Sequence, residues 1–149
     1  MDLIDIQLLE LLQKNARMTI SDLSTELALS RPSISERLHR LQEKGVIQEY
    51  SARVSLSAVG REILLIILVS NLKVSVREFE EMIKEEEEVI ECHRVTGEVS
   101  YFIKAAVSNM NNMRLLIDRL IPYGNINTST VLSSPVAYRY ILPIDEKVE

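Results

Sequence analysis

The sequence predicts an α+β fold in two parts. An N-terminal three-helix domain of helix-turn-helix type occupies residues 1–60, and a C-terminal ferredoxin-like βαββαβ domain occupies residues 61–149. Three observations lead there. Up to Leu41, apolar residues recur at spacings of three and four, the period of amphipathic helices. After Gly45 the period shifts to short runs rich in β-branched residues, which suit strands. Those runs alternate with helical segments in the order strand, helix, strand, strand, helix, strand, with one further strand at the end.

The first helix carries Leu3, Ile4, Ile6, Leu8, Leu9, Leu11 and Leu12, with Asp2 or Asp5 near its start as cap or dipole partner. Asn15 and Arg17 mark its exit. Thr19 caps a second helix, and Asp22 completes a capping-box pair, leaving Ile20, Leu23 and Leu27 as the inward face. Leu29 sits in the turn. Ser30 caps a third helix with Pro32 in its first turn, where a missing N–H costs nothing. Ile34, Leu38 and Leu41 form the buried stripe of that helix, and Gly45 suits the position just past its end.

Beyond it, Val46-Ile47 and residues 50–56 read as extended, the latter as a linker strand, and residues 57–60 as a hinge. Residues 63–69 are a seven-residue apolar run, read as a strand buried on both faces. A helix follows over about 75–86, then strands over 89–95 and 101–107 joined by residues 96–100. Met110, Met113, Leu116, Ile117, Leu120 and Ile121 define a last helix, ended by Pro122. Strands over 126–132 and 136–142 flank Ser133-Ser134-Pro135.

Composition narrows the function classes. The longest apolar run is far short of the roughly 20 residues needed to span a bilayer. The opening MDLIDIQLLELL carries Asp2 and Asp5 where a secretion signal is positive, so a cytoplasmic protein is expected. Cys92 is the one cysteine, which allows no internal disulfide and fits a reducing compartment. Its apolar neighbours Ile90 and Val95 point to a packed thiol rather than a nucleophile. His39 and His93 belong to no cluster, and Cys92 and His93 alternate on a strand, so they face opposite ways. There is no CxxC, HExxH, GxSxG, P-loop or GxGxxG motif. No catalytic residue, metal site or cofactor is therefore expected. The acidic run at residues 85–88 reads as a solvated helix end.

Charge sets a condition on nucleic-acid binding. The formal net charge is −5, and residues 1–60 hold seven Lys/Arg against eight Asp/Glu. Locally, Arg31, Arg37, Arg40 and Lys44 share the third helix with only Glu36 and Glu43 in opposition. A helix-turn-helix can lay that helix in a major groove. So few cations make few phosphate contacts, and useful affinity then requires several copies.

The order of these pieces resembles the Lrp/AsnC family of transcriptional regulators, also called feast/famine regulatory proteins. The resemblance rests on Asp5 with its Leu-rich helix, Leu29-Ser30-Arg31-Pro32-Ser33-Ile34, Arg37-Leu38-His39-Arg40-Leu41, and Gly45-Val46-Ile47 running to Tyr50. Thr96-Gly97 before Tyr101, and Tyr123-Gly124 leading to Thr128 and Thr130, extend it over nearly the whole chain. It implies a helix-turn-helix at about residues 21–40 that binds double-stranded DNA. It also implies a C-terminal RAM, or ACT-like, module that dimerises through its sheet and assembles into tetramers or octamers. A partner's sheet would cover the second face of the strand at 63–69.

With Ile34, Leu38 and Leu41 inward, the DNA-facing candidates are Arg31, Ser33, Ser35, Glu36, Arg37 and Arg40. Arg31 suits a guanine edge or a phosphate, and Ser33 and Ser35 suit either. Glu36 is placed to accept from cytosine or to pair with Arg40 at i,i+4. Arg37 and Arg40 suit phosphates. The resemblance further implies an amino-acid effector held by Thr96, Gly97, Glu98, Val99, Ser100 and Tyr101, with Asn127, Thr128 and Thr130 contributing. Where family members often carry an acidic residue before the aromatic, this chain has Ser100, and Glu98 is the substitute two residues away. Two alternatives share the architecture. One is a DNA-wrapping protein without effector. The other is an enzyme similar to the sirohaem decarboxylases, for which His93 and Arg94 offer a thin substitute for a basic cleft.

Overall fold

A computed structural model describes residues 1–144. The chain divides into two compact units: Met1–Arg53 with the segment from Val136 onward, and Val54–Pro135. The division thus falls before residue 54 rather than after residue 60.

In the first unit, each helix begins where a short polar side chain meets its free amides. Helix α1 (Leu3–Lys14) opens on a reciprocal box: the Asp2 carboxylate accepts from the Asp5 N–H at 2.9 Å, and the Asp5 carboxylate from the Asp2 N–H at 3.4 Å. Helix α2 (Ile20–Glu26) repeats the device with Thr19 and Asp22. Helix α3 (Arg31–Glu43) starts at Ser30 with Pro32 in its first turn. It ends in a Schellman motif: the Val46 N–H reaches the Leu41 carbonyl and the Gly45 N–H the Gln42 carbonyl, both at 2.9 Å. Gly45 has φ +67°, a left-handed conformation that glycine adopts without strain.

Leu8, Leu12, Leu23 and Ile34 are the buried centre of this unit, with Leu11, Met18, Leu27, Leu29, Leu38 and Ile47 packed around them. Ile20, expected inside, is 40% exposed. It is the first residue of α2, a turn ahead of the position that Leu23 fills. The Ser24 hydroxyl donates to the Leu29 carbonyl and fixes the turn between α2 and α3.

The second unit is a four-stranded antiparallel sheet with two helices on one face. Its elements are β1 (Ile63–Ser70), α4 (Val76–Lys84), β2 (Val89–Arg94), β3 (Tyr101–Val107), α5 (Met110–Leu120) and β4 (Asn125–Thr130), and the strand order is β2-β3-β1-β4. Leu65, Ile67 and Val69 lie opposite Ala105, Ile103 and Tyr101. That face is buried under Phe79 and Ile83 of α4 and Leu116 and Leu120 of α5. The alternate residues Leu64, Ile66 and Leu68, with Phe102 across the strand, lie on the other face and are only half-buried.

Three expectations are corrected. Residues 50–56 form no strand, and a short 3-10 turn (Ser57–Val59) precedes β1. Residues 136–142 form no strand either, so the sheet has the βαββαβ set without the added member. β4 stops at Thr130 rather than residue 132. The physical reason is common to the first two: alternation shows what a strand would bury, but a strand needs a ladder partner, and none of the described residues pairs with these segments as one. The tail instead lies on the first unit. Gln13 of α1 donates its amide N–H to the Ile141 carbonyl at 2.8 Å and accepts from the Ile141 N–H at 3.0 Å, and the Arg53 guanidinium stacks 4.4 Å from the Tyr138 ring centre.

Candidate nucleic-acid interface

The α2–turn–α3 pair presents the start of α3 with its donors outward. Arg31 is exposed and donates to the Ser21 hydroxyl of α2 at 3.0 Å. Ser33 is half-buried, its backbone N–H taken by the Ser30 cap. Ser35 and Glu36 are exposed.

Arg37 and Arg40 turn the other way, toward α1. Arg37 Nη1 lies 2.7 Å from Asp2 Oδ2 and 2.7 Å from Asp5 Oδ1. Arg40 Nη2 lies 3.1 Å from Asp5 Oδ2. The expected i,i+4 partner of Glu36 is thus drawn to Asp5, the only buried polar residue among those described, at 3% exposure. Solvent cannot compensate a buried carboxylate, so it holds both guanidinium groups. The Asp5 amide and then the Arg37 guanidinium hold the Asp2 carboxyl below its ordinary value, and Asp2 and Asp5 hold the Arg37 proton more tightly.

His39 was not among the expected contacts, yet it is exposed on the same outward face as Ser35 and Glu36, with Nε2 3.1 Å from Glu43 Oε1. Its spacing of three from Glu36 and four from Ser35 is the signal that finds it.

In the second unit, residues 95–100 form a closed loop between β2 and β3. The Val95 N–H donates to the Ser100 carbonyl at 3.0 Å, and the Ser100 N–H to the Val69 carbonyl at 2.8 Å. Thr96, Gly97 and Glu98 are exposed at its tip, with Gly97 at φ +109°, and Val99 and Ser100 are half-buried. Tyr101 differs from these: its ring is buried against Phe79 at 4.5 Å between centres, and its hydroxyl donates to Glu80 Oε1 of α4 at 2.7 Å. Burial first, and then the Glu80 carboxylate, push its phenol up to about 12.

The β4 candidates do not converge on the loop within one chain, because β1 separates β4 from β3. Asn127 is opposite Leu68 on the open face of the sheet, whereas Thr128 and Thr130 are opposite Ile67 and Leu65 on the helix face. The Thr128 hydroxyl is buried without a hydrogen-bond partner.

Other expectations about chemistry can be placed too. Burial pushes the half-buried Cys92 thiol up. His93 and Arg94 point to opposite faces of β2, His93 beside Glu91 at 3.5 Å, so they do not line one cleft. The acidic run is not simply solvated: Arg119 of α5 holds Glu86 at 2.7 Å and Glu88 at 3.1 Å. Among the described residues, no three His, Cys, Asp or Glu side chains are grouped to hold a metal ion, and no helix is long and apolar enough to cross a membrane.

Known proteins share this arrangement. Residues 1–48 match the winged helix-turn-helix DNA-binding family and residues 63–141 the Lrp/AsnC ligand binding domain. Between α3 and β1 the described residues form no strand pair, so no wing directly follows α3. The HTH-type transcriptional regulator YezC of Bacillus subtilis, itself uncharacterised, is 34% identical over 134 residues, covering 90% of this chain and 95% of the relative. The leucine-responsive regulatory protein of Haemophilus influenzae is 34% identical over 120 residues, covering 78% and 72%. A transcriptional regulator of Neisseria meningitidis, solved as an L-Met complex, superimposes with a TM-score of 0.86 at 30% identity over 95% of this chain and 96% of its own. With the ligand-binding-domain match alone spanning more than half of its length, this chain belongs to the Lrp/AsnC family of transcriptional regulators.

Proposed function

We propose that this protein is a sequence-specific DNA-binding transcription regulator of the cytoplasm whose assembly and DNA contacts respond to an amino acid. The observation that carries the DNA part is the outward face of α3, with Arg31 at its start bound to Ser21 rather than to an acid. Arg31, Ser33, Ser35 and Glu36 are the proposed contacts, Arg31 with a guanine edge or phosphate. Arg37 and Arg40 contribute less to phosphate binding than their number suggests, since Asp2 and Asp5 already hold them. Arg31→Ala is expected to weaken binding to the selected site by about 1–3 kcal/mol, and a gel shift with unchanged affinity and preference removes that role.

The proposed effector site is the tip of the 95–100 loop. Thr96, Gly97, Glu98, Val99 and Ser100 offer hydroxyls, exposed amides and one carboxylate to the two ends of a free amino acid. Tyr101 acts from behind, bracing the loop to α4 through Glu80. Asn127, Thr128 and Thr130 are too dispersed in one chain to complete the site, so their contribution requires a neighbouring copy. Support for an amino acid comes from the related regulator solved with L-Met. Assembly is proposed through the open sheet face, where Leu64, Ile66, Leu68 and Phe102 lack a covering layer of their own unit, giving a dimer and then a tetramer or octamer.

Selection of bound sequences from random duplexes, with and without each common amino acid, tests both halves. A recovered motif supports the regulator, and a shift in affinity or footprint with one amino acid supports the effector. Long periodic protection without a motif favours a DNA-wrapping protein instead.

A further inference from the structure

We propose that Asp5 is a positioning residue for DNA recognition: by holding Arg37 and Arg40 against α1 it sets the roll of α3, so that Ser35, Glu36 and His39 form the base-reading face. The proposal rests on the DNA-binding reading and adds to it which residues read bases and what aims them.

The buried stripe of Ile34, Leu38 and Leu41 sets the inward side of α3, but burial is non-directional and leaves the finer rotation to other contacts. Neighbouring residues are about 100° apart around a helix, so a rotation by a fraction of that carries a side chain off a base edge. Charge-assisted hydrogen bonds to a buried carboxylate are directional. Asp5 makes them to two residues three apart on α3, at 2.7 Å to Arg37 and 3.1 Å to Arg40. The same carboxylate closes the α1 cap through the Asp2 N–H. It therefore ties the start of α1 to one flank of α3 at two points.

The consequence is a division of labour on α3. Ile34 and Leu41 are buried, and Arg37 and Arg40 are committed to the α1 side. The opposite side carries Pro32, Ser35, Glu36 and His39, all exposed. His39 and Glu36 are complementary readers: an imidazole edge suits a purine acceptor, and a carboxylate suits the cytosine amine. Because Asp2 and Asp5 offset the two arginines, α3 presents modest net charge, and discrimination weighs more than phosphate attraction in its binding.

The test measures affinity for the selected site and for an unrelated duplex across a range of salt, in the full chain. Asp5→Asn is expected to lower the ratio of the two affinities about tenfold, and to steepen the salt dependence by about one phosphate contact as the arginines are released. An Asp5→Asn chain that melts earlier but keeps both ratio and slope overturns the proposal and leaves Asp5 a structural cap. Where Asp5→Asn does not fold, Arg37→Gln decides, since it leaves the α1 cap intact: a lower ratio with unchanged slope supports the proposal, and an unchanged ratio with a slope reduced by one overturns it. His39→Ala is expected to lose preference at one position of the site with no change in slope, and retained preference overturns its place on the reading face. A wild-type chain that binds no duplex defeats the DNA reading itself, a result distinct from all of these.

Discussion

Individual side chains here act through burial and partners more than through their intrinsic chemistry. Tyr101 is the clearest case. Its phenol is pushed up to about 12, so between pH 10 and that value the folded chain holds a proton that the unfolded chain has lost. Stability therefore falls as pH rises through that window, and denaturation across it should show an alkaline loss that Tyr101→Phe reduces, burial of the Tyr50 phenol adding a loss in the same direction. At neutral pH the same change removes the hydrogen bond to Glu80 and is expected to cost about 1 kcal/mol. Asp22 gives the opposite dependence. The Thr19 amide and hydroxyl hold its carboxyl below 3.8, so its contribution is present above that value and is lost as pH falls through its lowered folded one. Urea titrations from pH 6 to pH 2 should show a shallower acid limb for Asp22→Ala than for the parent.

At the scale of elements, the helix caps were legible because they are local. Thr19 with Asp22, Ser30 with Pro32, and Gly45 each sit within one turn of the amides or carbonyls they serve. β1 was legible as a strand from its apolar, β-branched run, but its 2.0 period of burial was not, because Leu64, Ile66 and Leu68 on the open face are as apolar as Leu65, Ile67 and Val69 on the closed one. What spans elements was not: nothing in the spacing of Arg37 or Arg40 points to Asp5, thirty-odd residues earlier, or of Arg119 to Glu86. Gly124 belongs to this class as well. A Cβ there would meet the Ser70 carbonyl oxygen at 2.8 Å and a Val69 methyl at 3.1 Å, although its φ is an ordinary extended one. Gly124→Ala should cost about 1–3 kcal/mol through overpacking of β4 on β1, read by chemical denaturation with little change in secondary-structure signal.

For the whole molecule, the two faces of the sheet decide how the chain is used. One face is closed by α4 and α5. The other keeps Leu64, Ile66 and Leu68 half-buried, with Lys104 and Glu91 paired at 2.8 Å beside them. Ile66→Lys places a charge in the middle of that apolar row and, on the proposed assembly through this face, should give smaller species than the parent in sedimentation. Because each copy offers few free cations, binding to a multi-site operator should weaken in parallel, while melting of the separated chain changes little. An Ile66→Lys chain that sediments as the parent does would remove the proposed interface.

The sequence by itself determined the order of the five α-helices and the four sheet strands, the helix caps, most of the buried stripes and the two-part α+β class, because each is set by periodicity and by side chains acting on their nearest backbone groups. It also located the helix and the loop where function is sought. Only the tertiary structure decided which cations stay free on α3, that Tyr101 is tied to α4 beneath the loop, and that Ile141 pairs with Gln13 of α1 and Tyr138 with Arg53 rather than either joining the sheet. Those outcomes depend on which distant groups a fold brings within about 3 Å, where a buried carboxylate or an unpaired strand selects its partner, and spacing along the chain carries no record of that choice.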